Sequence, residues 1–391
     1  MDALKWAAAA VGAVIIAITL DSVFRTLVVP RALTSRLTRF IERHATRPFG
    51  WLSGRHPTDY IKRDRILALQ APTTILVQLL VWMLLLGFGF GLLLWPTGGN
   101  SFPEALRQSG SSLLTLGSAP TSTVAATVIS FVEAAIGLIV VALQIGYLPT
   151  LYSSFNRRET LVTRLQSRAG EPAWGPEILA RHQVVSTVDN LAQLYDDWET
   201  WAADVAESHS NYRVLIWFRS PHPLRSWVVG LLAVLDSAAL YLALCPSTAP
   251  SEARLMLRMG FTALRDIADS LRIPYDPDPR PDVPISLTYE DFLLGIERLR
   301  AVGFEMERTP EEAWPHFHGW RINYETLAYT LADRVDAVPA PWSGPRRGVL
   351  APMAVIRPKN RVPDAPEADF TEPEIGRSQR RVARRGTTRP S

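Results

Sequence analysis

The sequence predicts an all-α membrane protein: three transmembrane helices and one short re-entrant helix, followed by a cytosolic helical bundle. Three observations predict it. Apolar runs at residues 6–29, 72–95 and 123–148 are each long enough, at ~1.5 Å per residue, to cross a hydrocarbon core of about 30 Å. Arginines crowd the segment between the first two runs. From about residue 175 to 337 the apolar residues recur at helical spacing, with no sustained strand-like alternation.

The first run is apolar apart from Asp21, Ser22, Arg25 and a few threonines. Lys5 precedes it, as in a secretory signal. Asp21-Ser22-Val23-Phe24-Arg25 stands where a small-x-small cleavage site would have to follow, so residues 1–30 are expected to stay as a transmembrane anchor. Asp21 and Arg25, spaced i, i+4, are expected to pair on one face. Residues 31–71 form a basic amphipathic segment, in which Arg31, Arg36, Arg39, Arg43, Arg47 and Arg55 alternate with Leu33, Leu37, Phe40 and Ile41. Basic loops remain in the cytoplasm, so the N-terminus is expected outside and this segment on the inner leaflet, against anionic lipid headgroups. The third run then returns the chain to Arg157 and Arg158 in the cytoplasm.

Residues 72–154 hold the second and third runs and, between them, the loop 101–120. Residues 155–337 are expected to be a cytosolic all-helical domain, with helices over 176–207, 226–244, 251–271, 289–301 and 310–333. Within it, residues 227–245 are apolar except for Asp236 and Ser237, and two readings stand: a buried core helix or a fourth span. Asp236 at the bilayer midplane would cost about 2.5–3.5 kcal/mol, and the arginine-rich remainder would be exported, which favours the core helix. Asp236 is expected to pair with Arg213 or Arg219. Residues 338–391, rich in proline and arginine, are expected to form a disordered tail.

The composition narrows the function. One cysteine, Cys245, excludes an intrachain disulfide, and a net charge of +3 is too small to argue for a nucleic-acid partner. No phosphate-binding glycine loop, GxSxG elbow, HExxH or CxxC is present, so the chain is not expected to be an enzyme or to need a cofactor. His316-Phe317-His318 lacks a third metal ligand, and Trp198 and Trp201 have the spacing of core residues.

The loop 101–120, SFPEALRQSGSSLLTLGSAP, carries the functional signal. Ser101 and Glu104 have capping-box spacing, with Pro103 allowed in the first turn. A helix ending near Leu114 would span half a membrane, and its C-terminal end carries roughly half a negative charge, which favours a cation. Thr115 is expected to begin an extended strand, and Gly117 to supply left-handed backbone. On the third run Ser130, Glu133, Gly137, Val141, Gln144 and Leu148 share one face with small and polar residues, Gly137 being a candidate hinge. That face either lines water or packs helix on helix in lipid; Glu133 inclines the reading towards water.

Residues 72–158 resemble the bacterial pore-loop potassium channels of the two-span-plus-pore type. Thr115-Leu116-Gly117 is similar to the first half of the TVGYG filter pattern, while Ser118, Ala119 and Pro120 depart from its tyrosine, glycine and acid. The resemblance implies a selectivity filter at Thr115, Leu116, Gly117, Ser118 and Ala119, an inner helix with Glu133, Gly137, Val141 and Gln144 lining or gating the pore, and permeant monovalent cations as the only metal ions. It implies a homotetramer in the cell membrane, since one loop cannot close a ring of carbonyls. Ser118 cannot pack as the tyrosine does, and Ala119 would pay roughly 1 kcal/mol or more if its backbone had to be left-handed, so weak potassium selectivity is expected. The other reading is a non-conducting membrane sensor or scaffold that keeps a degenerate pore loop.

Overall fold

A computed structural model describes residues 2–29, 35–56, 59–97, 101–119 and 123–345. Arg31, Leu33, Pro120 and the tail beyond residue 345 lie outside the described residues. Among the described residues the chain is helical, with no strand, and four helices are long and apolar enough to cross a membrane. It divides into two compact units.

The first unit holds, among the described residues, 2–29, 35–55, 65–97, 101–119, 123–156 and 208–218. Helix α1 (Asp2–Leu27) packs along α4 (Gln70–Leu94), with α2 (Arg36–Ser53) against both. The crossing is close because both helices present glycine: a Cβ on Gly12 would lie 2.5 Å from the Gly89 carbonyl oxygen. Small residues allow such approach where lipid offers no hydrophobic drive. Ile16, Val23, Trp82, Leu86, Phe90, Leu113 and Val140 form the core of the unit. Trp82 is fully buried and donates its indole N–H to Ser22 Oγ at 3.1 Å. Ser22 Oγ also meets Thr38 and Ser35, and the Ser35 hydroxyl caps α2 by accepting from the Thr38 amide at 3.0 Å. The expected Asp21–Arg25 pair forms at 2.7 Å. The basic segment resolves into α2 and α3 (Tyr60–Ala68), and the outer face of α2 carries Arg36, Phe40, Arg43, Arg47 and Trp51. Arg55 stacks over Trp51 at 3.6 Å, while Glu42 turns inward to Arg213 at 3.9 Å.

Between α4 and the long helix α6 (Val124–Ala169) lies α5 (Phe102–Leu113). With 12 residues it is about 18 Å long, too short to cross a membrane. The Ser101 side chain makes no capping bond, contrary to its spacing: the Glu104 amide donates to the Ser101 backbone carbonyl at 3.1 Å, and the Glu104 side chain pairs with Arg107.

The second unit holds, among the described residues, 56, 59–64, 157–207 and 219–345. Its centre is α9 (Trp227–Leu244), every residue of which is buried. Helices α7 (Gly175–Val184), α10 (Ser251–Leu271), α12 (Pro310–Arg321) and α13 (Glu325–Arg334) enclose it, with α11 (Tyr289–Arg300) behind α7 and α12. Helix α8 (Leu191–Asn211) reaches α9 where Trp198 meets Gly230 and Tyr195 meets Ser237.

The expected helix over 176–207 is two helices, interrupted where Ser186 turns left-handed at φ 53° and the Thr187 amide closes the first on the His182 carbonyl at 2.8 Å. The expected helix 310–333 also breaks, at Asn323, whose side-chain amide donates to the Gly319 carbonyl at 3.0 Å and ends α12. Residues 338–345 belong to the packed unit rather than to a tail. Val338 is fully buried, and the Trp342 indole donates to the Asp291 carbonyl at 3.0 Å.

Asp236 pairs with Arg321, not with Arg213 or Arg219. Arg219 instead binds Asp64, donates to Tyr60 Oη at 2.6 Å and to the Asp336 carbonyl at 2.9 Å. These contacts clasp the start of α3 to the chain beyond α13.

Candidate functional site

Helix α5 ends in a Schellman motif. The Leu116 amide donates to the Ser111 carbonyl at 2.8 Å and the Thr115 amide to the Ser112 carbonyl at 3.0 Å. Thr115 therefore sits in left-handed backbone at φ 52° instead of opening an extended strand. A β-branched residue there is strained by about 1–2 kcal/mol, which the helix-closing bonds offset. Gly117 is left-handed at φ 64°, as its residue type suggests, and a Cβ there would meet nothing within 4 Å. The strain would be in the backbone alone.

Thr115, Leu116, Gly117 and Ser118 are exposed, Leu116 at 66 %. Ala119 is half-buried. Ser111 holds the far side of the loop: its hydroxyl oxygen accepts from the Ser118 amide at 2.9 Å and from the Ala119 amide at 3.2 Å. The loop thus hangs from α5, so whatever fixes α5 also sets the loop.

Three contacts fix it. The Gln108 side-chain amide donates to Ser130 Oγ at 3.2 Å. Ser109 Oγ lies 2.7 Å from the Gly87 carbonyl oxygen and in hydrogen-bond contact with the Glu133 carboxyl. Gly137 lets α6 pass the end of α5, since a Cβ there would lie 2.6 Å from the Leu113 carbonyl oxygen.

The face of α6 singled out in the sequence is accordingly turned towards its own chain. Glu133 is fully buried, Gly137 and Gln144 are buried, and Val141 is half-buried. The exposed stripe of α6 is instead Phe131, Ala135, Leu138, Ala142 and Ile145. Gln144 borders a small polar pocket with Gln78, Tyr147, Arg25 and Arg213. Ser109 and Ser111, the residues that anchor the loop, escaped the sequence reading. Their signal is the Ser-Gly-Ser-Ser cluster at 109–112, unusual in a helix interior.

The weaker candidates lie elsewhere. Trp198 and Trp201 are core residues, and Trp201 donates to the Arg158 carbonyl at 2.9 Å. His316 and His318 stand two apart on α12, and no group of three metal-ligating side chains gathers among the described residues. No family model, curated protein or solved structure matches this chain.

Proposed function

We propose that the chain is a subunit of a cation channel in the cell membrane, with α5 as a re-entrant pore helix and residues 115–119 as the filter loop. The observation that carries this reading is a helix too short to cross a membrane, anchored on two long apolar helices and ending in an exposed loop with left-handed glycine. Its C-terminal carbonyls aim negative potential at the loop, the arrangement that favours a cation. The loop is exposed in one chain because one chain supplies only part of a ring; four copies around an axis would complete it. The exposed α6 stripe, not Glu133 or Gln144, is then the surface free to face the axis or a neighbouring copy. With the N-terminus outside, unit two lies in the cytoplasm, and the arginine and aromatic stripe of α2 faces inner-leaflet phosphates.

One observation favours the non-conducting alternative. Thr115 closes α5 rather than extending from it, and Ser111 takes up the Ser118 and Ala119 amides. Thr115 is thereby withdrawn from an extended strand, and the end of the loop is tied back to its own helix.

Cation flux into proteoliposomes separates the two. The channel reading expects flux with modest preference for potassium over sodium. It expects Gly117→Val to abolish flux, because a β-branched residue resists φ near 64°. No flux under any voltage or pH, in protein of verified fold, would leave the scaffold. Flux that survives Gly117→Val with unchanged preference would remove residues 115–119 as the filter.

A further inference from the structure

Glu133 is the one carboxyl on α6 inside the apolar run, and it is fully buried. One of its oxygens contacts Ser109 Oγ; the other has no partner among the described residues. Ser109 Oγ is also 2.7 Å from the Gly87 carbonyl oxygen. A serine hydroxyl has a single proton to donate. Two acceptors, a carbonyl and a carboxylate, would compete for it, and the loser would face the hydroxyl lone pairs at contact distance. The Gly87 carbonyl has no proton of its own. The carboxyl is the only member of the group that can bring a second proton.

We propose that Glu133 is present as a neutral carboxylic acid that donates to Ser109 Oγ, so that Ser109 donates in turn to the Gly87 carbonyl. This one-way chain joins α6, α5 and α4, and makes Glu133 a positioning residue for the filter loop. It rests on the channel reading only for its consequence, not for its chemistry.

The surroundings agree. No basic side chain touches Glu133 among the described residues. The polar neighbours, Gln108 and Ser130, bind each other, and the charges on α5, Glu104 and Arg107, pair on the exposed side. An ionised carboxylate with one bare oxygen in that place would lack any compensation, whereas a neutral acid leaves only a carbonyl oxygen unbonded. The chain of bonds also has a direction to its effect. Ser109 is two residues from Ser111, whose hydroxyl holds the Ser118 and Ala119 amides. A shift of α5 along α6 therefore moves the loop.

The test is infrared difference spectroscopy on the full-length protein in liposomes at neutral pH, wild type minus Glu133→Gln. The expected result is loss of one protonated-carboxyl C=O band. Loss of a carboxylate band instead would overturn the proposal. In Ser109→Ala the acid band should move to higher frequency, as its hydrogen bond is lost; an unmoved band would refute Ser109 as acceptor. The positioning role is read separately. Glu133→Val should reduce the potassium preference at least threefold, and Glu133→Gln, whose amide donates as the acid does, should restore most of it. Equal effects of the two variants would reject the positioning role. If the wild type passes no cations, the channel reading fails, and the infrared result still decides the proton.

Discussion

Replacing Arg321 by methionine tests the packing logic of the second unit. Arg321 is fully buried and serves two carboxylates, Asp236, 1 % exposed, and Glu325, 3 % exposed. Its remaining N–H groups reach the Trp342 carbonyl at 2.6 Å and Tyr329 Oη at 2.8 Å. Glu325 also accepts from the Leu287 amide at 3.1 Å and from Ser286, and Asp236 from Tyr324 Oη at 2.9 Å. Methionine leaves two carboxylates in the interior with hydrogen bonds but no cation. Breaking a buried pair from one side costs about 3–5 kcal/mol. The reporter is built in: Cys245, the only cysteine, lies at the end of α9, is buried, and donates to the Glu305 carbonyl at 3.2 Å. Burial pushes its thiol up to about 11, so in the closed state it is both shielded and protonated. Maleimide labelling at neutral pH then follows the open population, and at about 1.4 kcal/mol per decade Arg321→Met should accelerate it by about two to three and a half orders of magnitude. Combining Asp236→Leu with Arg321→Met removes both charges of the closest pair and should slow labelling again by at least about tenfold relative to Arg321→Met alone. Labelling of the single variant within threefold of wild type, with helix content unchanged, would refute the claim that this ion cluster holds α9, α12 and α13 together.

Acid should loosen the same unit. Burial alone would raise Glu177, but Arg298 and Arg181 outweigh it and hold the carboxyl below its ordinary value of 4.5; burial lowers His182 below 6.5. Both groups bind fewer protons folded than unfolded, so their stabilisation is whole above pH 6.5 and is lost as pH falls, first through His182 and then, below 4.5, through Glu177. Cys245 labelling measured from pH 7 downward, corrected for thiolate content, should report progressively more opening, and an opposite trend would contradict the assignment. For topology, reporters at Arg47, Arg168 and Ser251 should read as cytoplasmic and one at Thr97 as external; an external Ser251 would make α9 a fourth span. In mild detergent the mass should be that of four chains, and a stable monomer with native helix content would count against the channel. Gly137→Ala, whose Cβ would press on the Leu113 carbonyl, should cost about 1–3 kcal/mol of thermal stability, with no loss expected had Gly137 faced open water.

The helices that run unbroken are those whose apolar stripe runs unbroken in the sequence, such as α10, expected over 251–271 and found as Ser251–Leu271. Breaks were less legible. Ser186 and Asn323 end helices through local backbone and side-chain bonds that leave the apolar spacing intact on either side. Periodicity also states which residues share a face without stating what covers it. Glu133, Gly137 and Gln144 do share a face; the cover is α5 and its neighbours rather than water, because α5 carries serines and glutamine on the matching side. Likewise Asp236 needed a cation, but its partner lies 85 residues away, and only the packing of α12 on α9 selects Arg321 over the nearer arginines. In the loop, Thr115 is expected extended from its place directly after the short helix, yet two backbone bonds to α5 decide its conformation.

Helix α9 shows how burial separates two roles that composition leaves equal. By length and apolar character it matches α1, α4 and α6. Those three bury 33 %, 33 % and 28 % of their most apolar windows and leave the rest to face outward, as helices in lipid must unless neighbours cover them. Helix α9 buries 100 % of its window among helices of its own unit. Those surrounding helices are amphipathic: α10 turns Met256, Leu257, Ala263, Leu264 and Ile267 inward and leaves Glu252, Arg254, Arg258 and Arg265 on its outer turns. A bilayer around such a coat would have to solvate charges on every side, at about 2.5–3.5 kcal/mol for each one near the midplane. Water meets no such cost. The apolar character of α9 is therefore that of a central core helix, hydrophobic all round because protein covers it all round. In this reading its single acid, paired within that core, serves packing and not transport.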